Sequence, residues 1–347
     1  MRNDFFARMT ENTPTRVWIN NPRLAEIDLA LEHGAVGCTT NPTYVANILK
    51  RAPNEVRPIV DECILLASDD AVAVELIQGR LVQRIAERFM PMYEASGGRQ
   101  GFVSIQGSPD DDADVSRIIA EARAGHGISP NVVPKLPATE AGLVAFEALI
   151  TEGYPAIVTE VFSLAQLVET CDRYVRVTAE TGTRPPFFMS PITGIFGDHL
   201  KAQAAEAGLP ISIYKSDAEL AGIVFARECY RIARDRAYPV TLLCGGSRVP
   251  FDLTGLIGAP VHVTINWSTF RDVLDSGMEF ATGFDTTIDA TVRGRLEEIS
   301  GDFRLAMQVD GLSIQEFEDF GPVQYFRNNF VAGWQSVREV VTAARRH

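Results

Sequence analysis

Asn131-Val132-Val133-Pro134-Lys135-Leu136-Pro137, followed by Ala138-Thr139-Glu140-Ala141-Gly142-Leu143, decides the architecture. The first seven residues form a short apolar, β-branched run, the pattern of a strand buried on both faces of a parallel sheet. Thr139 stands where a helix needs a cap. Leu143, Phe146 and Leu149–Ile150 then mark one apolar stripe at helical spacing, which Gly153 closes. The unit is strand, cap, helix, stop, and it recurs in both directions. Strands are predicted at 16–20, 36–40, 101–107, 131–137, 156–162, 186–193, 240–246 and 261–266, with helical pattern between them, as at 164–175 and 220–237. A long helical insertion, 53–95, follows the second strand. The tail, 302–347, is also helical in pattern, with Phe303, Phe317, Phe320, Phe326 and Phe330 supplying apolar contacts. Eight strands alternating with helices predict an α/β fold, a closed (β/α)8 TIM barrel built as one domain over 1–347. An open doubly wound sheet is the alternative. It ordinarily carries a glycine-rich phosphate loop after its first strand, and none follows Asn20. Gly245-Gly246-Ser247 comes late and lacks the GxGxxG spacing.

With 347 residues and 46 % hydrophobic content, the chain can bury a large core. A net charge of −13 argues against nucleic acid or an anionic membrane as a partner, because both require clustered Lys and Arg. It leaves room for an anionic small molecule held by one or two local cations. No apolar run reaches the length of a membrane span, and residues 1–18 contain no apolar core of signal-peptide length. A cytoplasmic location is therefore expected. Cys38, Cys63, Cys171, Cys229 and Cys244 are scattered without a CxxC pair, which suits buried, reduced thiols. His33, His126, His199, His262 and His347 show no HxH or HExxH spacing, so neither a metal nor another cofactor is expected.

Lys135 stands out from this background. Lysine is rarely buried unless it is paired or functional. In low dielectric its ammonium is disfavoured, so the free amine becomes available to attack a ketone and form an iminium ion, an electron sink. The other reading is a lysine at a strand end that snorkels to solvent or pairs with a carboxylate. Composition leaves both open.

The neighbouring sequence separates them. Val133-Pro134-Lys135-Leu136-Pro137-Ala138-Thr139-Glu140-Ala141-Gly142-Leu143 resembles the lysine segment of the transaldolase family, "IKxPAT-x-x-GL". Gly37-Cys38-Thr39-Thr40-Asn41-Pro42-Thr43 resembles that family's "VTTNPS" strand end. The stretch from Gly153-Tyr154-Pro155 through Thr159, Phe162, Ser163 and Gln166 resembles its "EGI-x-x-x-x-T-x-x-FS-x-x-Q". Ser190-Pro191 with Gly194 resembles its "SP-x-x-G" turn. The four occur in family order at barrel-strand spacing. They cover the chain from about Arg16 to Asn266 and fade over the insertion and tail.

The resemblance implies a (β/α)8 barrel with a Schiff-base lysine, here Lys135, on the fourth strand. It implies transfer of a dihydroxyacetone unit from a ketose to an aldehyde, with a sugar or sugar phosphate as substrate. It also implies a homo-oligomer joined through outer and C-terminal helices. By the same resemblance Thr159 is the threonine that helps hold the proton-shuttling water. Asn41, with Thr40 beside it, meets substrate hydroxyls; the other role open to Asn41 is capping the helix that follows Pro42. Ser190 lies at the hydroxymethyl end.

Three positions depart from the family. Asn20 stands where the family places the aspartate of the first strand, and an amide can bind a hydroxyl but cannot take its proton. Gln106 replaces the glutamate of the third strand, a feature of fructose-6-phosphate aldolases, which release free dihydroxyacetone. Ile195 replaces the phosphate-binding arginine of "SP-x-x-GR", leaving Arg248, in Gly246-Ser247-Arg248, as the plausible anion contact. Loss of two carboxylates from the site lowers its negative charge and depresses the pKa of Lys135 further. It also leaves the base without an owner. Asp198 is one candidate, its other role being to cap a helix from His199. Lys201, Lys215 and Arg184 could add positive charge. The readings to be tested are a transaldolase-like transferase, an aldolase, and a sugar-binding barrel without catalysis.

Overall fold

The computed structural model describes residues 4–208 and 211–346, the side chains of 211–216 excepted. Eight strands, β1 (Arg16–Asn20), β2 (Ala35–Thr39), β3 (Phe102–Gln106), β4 (Val132–Pro137), β5 (Ala156–Val161), β6 (Phe187–Pro191), β7 (Thr241–Cys244) and β8 (His262–Asn266), close into a barrel in chain order, every neighbour parallel. Helices alternate with them, so the fold is the (β/α)8 barrel. The unit around β4 forms as its residues dictate. Thr139 accepts a hydrogen bond from the Gly142 amide, the helix Glu140–Thr151 follows, and Gly153 turns with φ of 84°. Gly142 is required there by close approach. A Cβ on it would lie 2.1 Å from the Pro137 carbonyl oxygen, so the helix could not pack this tightly against β4.

Alternation along the strands divides the barrel interior into layers. Trp18, Val36, Phe102, Val133, Ile157, Phe188 and Leu243 form a buried apolar plug at the N-terminal end. Phe188 meets Trp18 and Phe102 edge to face, at 5.4 Å and 5.6 Å between ring centres. Each such pair contributes about 0.5–1.5 kcal/mol beyond its burial. The Trp18 indole donates to His262 Nδ1 at 3.0 Å. Burial, with Arg16 assisting, pushes the His262 pKa down to about 4, so its ring is the neutral acceptor that this bond needs. Two residues further along, the interior turns polar: Asn20, Ser104, Lys135, Thr159 and Ser190 follow the plug residues of their own strands, and Thr264 follows His262 on β8. The apolar plug excludes water from below, and the polar layer faces the C-terminal mouth, the end at which barrels of this type build their sites.

The insertion after β2 is the helix pair Pro53–Leu66 and Asp70–Ala95. The tail forms the helix Gly321–Ala344. All five of its anticipated phenylalanines are buried, and it reaches the mouth of the barrel. There Arg327 closes a two-pronged ion pair with Asp112, both N···O distances being 2.6 Å. Phe326 packs edge-on against Phe162, just beyond β5. None of the helices among the described residues is long and apolar enough to cross a membrane.

Candidate active site

Lys135 projects from β4 into the polar layer and is 8 % exposed. Burial pulls its pKa down to about 8, against a smaller opposing effect of the Glu160 carboxylate. At neutral pH about a tenth of such an amine is unprotonated, against less than one part in a thousand at the ordinary lysine value. The side chain reaches a cavity of about 220 Å³ at the C-terminal mouth, shared with Asn20, Asn41, Ser190 and Arg248, and lidded by Phe326, Asn329 and Phe330 of the C-terminal helix. A second cavity, about 380 Å³, lies between the helices Asp70–Ala95 and Val115–His126 and also reaches Gln106 and Lys135.

Most of the polar groups singled out in the sequence meet around this lysine. Asn20 donates to Asn266 Oδ1 at 2.8 Å and accepts from Thr39 at 2.9 Å, so its amide is held by β8 and β2. Asn41 Oδ1 accepts from the Thr43 amide and hydroxyl, at 3.0 Å and 2.7 Å, and from Asn21 Nδ2 at 3.2 Å. It thus organises the turn into the helix Tyr44–Arg51 while lining the cavity, so both of its anticipated roles coexist. Ser190 lines the cavity, and the bare Gly245 opposite leaves room beside its hydroxyl. Thr40 is placed differently. Its hydroxyl donates to the Ser104 carbonyl at 2.6 Å and its amide donates to the Ser104 hydroxyl oxygen at 2.9 Å, so it ties β2 to β3 and does not line the cavity. Ser247 is buried, turned toward the Val249 carbonyl, and likewise is not a lining residue.

Arg248 lines the cavity, where its guanidinium meets Asp198 at 3.0 Å. Asp198 is not a helix cap. The helix starts at Gly194, with Thr193 before it, and Asp198 lies inside, between Arg248 and Lys201. Among the described side chains, it therefore restrains the one anticipated anion contact that lines the cavity. Lys201 is divided between Asp198 and Glu219, and the Lys215 side chain is outside those described. Ile195, where the family has arginine, is buried against Gly246.

The carboxylate that Asn20 and Gln106 do not supply comes from a residue that the motifs pass over. Glu160, beside Thr159 on β5, is 2 % exposed, and its Oε1 accepts from Gln106 Nε2 at 2.9 Å. Because β4 runs between β3 and β5, this bond spans the strand that carries Lys135. The two family carboxylates are absent at Asn20 and Gln106 as read, but the site has an acidic group near its lysine that the sequence reading did not name. Glu160 has φ of 62°, and the β5–β6 register shifts between Val158 and Val161. A non-glycine residue in that conformation costs about 1–3 kcal/mol and is kept where the surroundings dictate it. Burial raises the Glu160 pKa to about 7. Asp112 pushes it further up, while Lys135, the Gln106 bond and Arg327 oppose the rise. The signal was available: a charge within the apolar strand Ala156–Val161, the same anomaly that marks Lys135.

Among the described residues five buried side-chain oxygens have no hydrogen-bonding partner. Four of them, Asn21 Oδ1, Gln106 Oε1, Thr159 Oγ1 and Glu160 Oε2, belong to the C-terminal ends of β1, β3 and β5. Asn21 lines the mouth cavity and Gln106 the second one, while Thr159 and Glu160 lie behind both; buried polar atoms are ordinarily paired, so this concentration marks the polar layer around Lys135 as a place built to receive polar groups.

Comparison with known proteins agrees with this geometry. A family profile described as Transaldolase/Fructose-6-phosphate aldolase matches residues 17–319. Transaldolase 1 of Streptomyces avermitilis is 34 % identical over 163 residues, which is 46 % of this chain and 42 % of that protein. The alignment with the transaldolase of Thiobacillus denitrificans, at 30 % identity, spans 51 % of that relative, so the chain matches about half the length of these two curated relatives. A longer alignment, at 25 % identity, covers 88 % of this chain and 92 % of the transaldolase of Neisseria gonorrhoeae. With a match running from β1 past β8 and a buried lysine on the fourth strand of a closed barrel, this chain belongs to the transaldolase/fructose-6-phosphate aldolase family.

Proposed function

We propose that the protein transfers a dihydroxyacetone unit from a ketose to an aldehyde through an imine on Lys135. The observation that carries this reading is the desolvated Lys135 amine at the C-terminal end of β4, open to a polar cavity of sugar size. The amine attacks the ketose carbonyl, and loss of water leaves an iminium ion. This cation draws electrons from the neighbouring carbon–carbon bond, whose cleavage releases an aldehyde and leaves an enamine on the lysine. A second aldehyde accepts the three-carbon unit, and hydrolysis frees Lys135. The apolar plug shields the enamine from below, and the C-terminal helix narrows the mouth above it. Asn20, Asn41 and Ser190 offer hydrogen bonds to substrate hydroxyls, and Arg248 offers a guanidinium to an anionic end.

A second reading, an aldolase of the fructose-6-phosphate type that lets water take the enamine, is favoured by one observation: an amide, Gln106, on β3. Turnover of fructose 6-phosphate with and without an acceptor aldose phosphate separates the two, because only the aldolase releases dihydroxyacetone without an acceptor. Reductive trapping with a panel of ketoses, followed by peptide mass analysis, tests the step common to both. Absence of an adduct on Lys135 with every ketose would leave a sugar-binding barrel without catalysis.

A further inference from the structure

Glu160 is assigned no role by the family motifs, yet its carboxyl has the geometry of a working group. Its strand neighbours Thr159 and Val161 are buried, and regular alternation would aim Glu160 away from Thr159. The left-handed backbone and the register shift on β5 turn it instead toward Gln106. One carboxylate oxygen is fixed by that amide and the other, Oε2, has no partner. Thr159 Oγ1 and Gln106 Oε1 are the neighbouring oxygens in the same condition. The charged groups facing Glu160 are Lys135 from β4, Asp112 from the loop after β3 and Arg327 from the C-terminal helix. The last two neutralise each other in a two-pronged pair, so Lys135 is the charge with which Glu160 can trade a proton.

Resting on the imine chemistry above, we infer that Glu160 is the general acid–base of imine formation in this protein, its carboxyl standing on β5 instead of β3, with Gln106 and Thr159 positioning it and the departing water. The carboxylate takes a proton from the Lys135 ammonium through one water. The amine nitrogen bonds to the ketose carbonyl carbon, giving a carbinolamine. Glu160 then returns its proton to the carbinolamine hydroxyl, the carbon–oxygen bond breaks and water leaves. The products are an iminium cation, one water and the Glu160 carboxylate, so ketone plus ammonium balances iminium plus water. Cation and carboxylate remain opposite each other, and the site's net charge stays constant throughout, which spares a dry barrel the cost of an unpaired charge. The Lys135 and Glu160 values, about 8 and about 7, are close enough for the proton to move either way near neutrality.

The test is the rate of adduct formation on Lys135 with dihydroxyacetone and cyanoborohydride, read by mass spectrometry from pH 6 to pH 10. The reactive pair holds one proton, so the wild-type rate follows a bell, falling again above about pH 8. Glu160→Gln keeps the size of the side chain and removes its titration, and with it the rate falls about 10²–10³-fold. The bell becomes a single limb rising with pH, because only the amine still titrates. The exchanged pair Gln106→Glu with Glu160→Gln puts the carboxyl on β3 and brings the rate back to within about tenfold of wild type. A Glu160→Gln rate within threefold of wild type, with the bell retained, overturns the assignment. So does a wild-type rate that climbs without falling to pH 10, a readout that does not depend on any variant folding. A wild type that forms no adduct on Lys135 removes the imine reading itself, whereas a wild type that does, beside an equally active Glu160→Gln, removes only the role of Glu160.

Discussion

Replacing Lys135 by methionine should make this protein more stable while abolishing the imine chemistry proposed for it. Methionine keeps the length of the side chain and removes the charge, so packing against the apolar plug changes little. The gain follows from what the fold does to the lysine. From about 8 in the folded chain to the ordinary value of 10.5 is about 2.5 pH units, each equivalent to about 1.36 kcal/mol. At pH 7 the folded state therefore carries a penalty of about 3 kcal/mol that the unfolded chain does not. The sign follows from proton counts. Between pH 8 and pH 10.5 the unfolded chain binds more protons than the folded one, so wild-type stability rises with pH over that window. The advantage of Lys135→Met should accordingly shrink from about 3 kcal/mol at pH 7 to about 1 kcal/mol at pH 10. With about 2.1 cal/mol/K of unfolding entropy per residue, 347 residues turn 3 kcal/mol into a Tm gain of about 4 °C. Glu160 alters this little. It loses the lysine's opposing effect and stays protonated to somewhat higher pH in the variant, whereas its own penalty relative to the unfolded chain is present in both proteins. Calorimetric unfolding of wild type and Lys135→Met at pH 7 and pH 10 measures all four quantities. A variant less stable than wild type at pH 7, or one whose advantage is the same at both pH values, would show that the ammonium is not held out of water, and the reactive amine would lose its physical basis.

Thr159→Val removes a buried hydroxyl with no partner. It should leave Tm unchanged or raise it, about 1 kcal/mol being typical for such a group, while slowing adduct formation on Lys135 by about 10- to 100-fold; a large loss of stability would mean that the hydroxyl serves the fold. Asn20→Asp must set a carboxylate against Asn266 Oδ1 unless the Asn266 amide turns over. We expect an intact circular dichroism spectrum, a stability loss of about 1 kcal/mol, and cleavage that is faster or redirected to another ketose; complete loss of turnover in a folded variant would make the amide itself essential. Asp198→Asn frees Arg248 from its ion pair, so KM for a phosphorylated ketose should fall severalfold with little change for its unphosphorylated counterpart, and Arg248→Met should do the reverse. Equal effects on both donors would place the anion elsewhere.

The barrel was legible because strands buried on both faces leave short, nearly continuous apolar runs. Each predicted strand overlaps an observed one, with β1 matching at both ends, and most errors elsewhere are of one or two residues. Lys135 was legible by the same physics, since a charge inside such a run is an anomaly that packing alone does not produce. What sequence spacing could not give was direction and distance. Thr40 stands beside Asn41 in the chain but turns its hydroxyl to Ser104. Arg248 could be placed at the mouth, but not the Asp198 that restrains it 50 positions earlier. The C-terminal helix showed its apolar stripe, yet nothing local says that Phe326, Asn329 and Phe330 close over the cavity.

Glu160 shows where the strand rule itself gives out. With period-two alternation, Thr159 inside the barrel puts its neighbour outside, among the helices, where a glutamate would need a partner or a path to solvent. A reader of the sequence who trusts the period must therefore discard one of the two residues, and the family motif makes the threonine the one to keep. The structure keeps both by spending backbone conformation: a left-handed residue and a register shift within β5 bring two successive side chains toward the same lysine. That local strain, of about 1–3 kcal/mol, together with a buried carboxyl and a buried amine, is cost borne by the fold with no gain in packing. Replacing Glu160 by leucine should then stabilise the chain, as Lys135→Met does. Because a raised carboxyl value penalises the fold in full above about pH 7 and not at all below about pH 4.5, the gain should be present at pH 8, shrink as the pH falls through 7 and vanish only below about 4.5. If Glu160→Leu proves destabilising at pH 8, the carboxyl is holding the strand together, and its place beside the lysine is architecture and not chemistry.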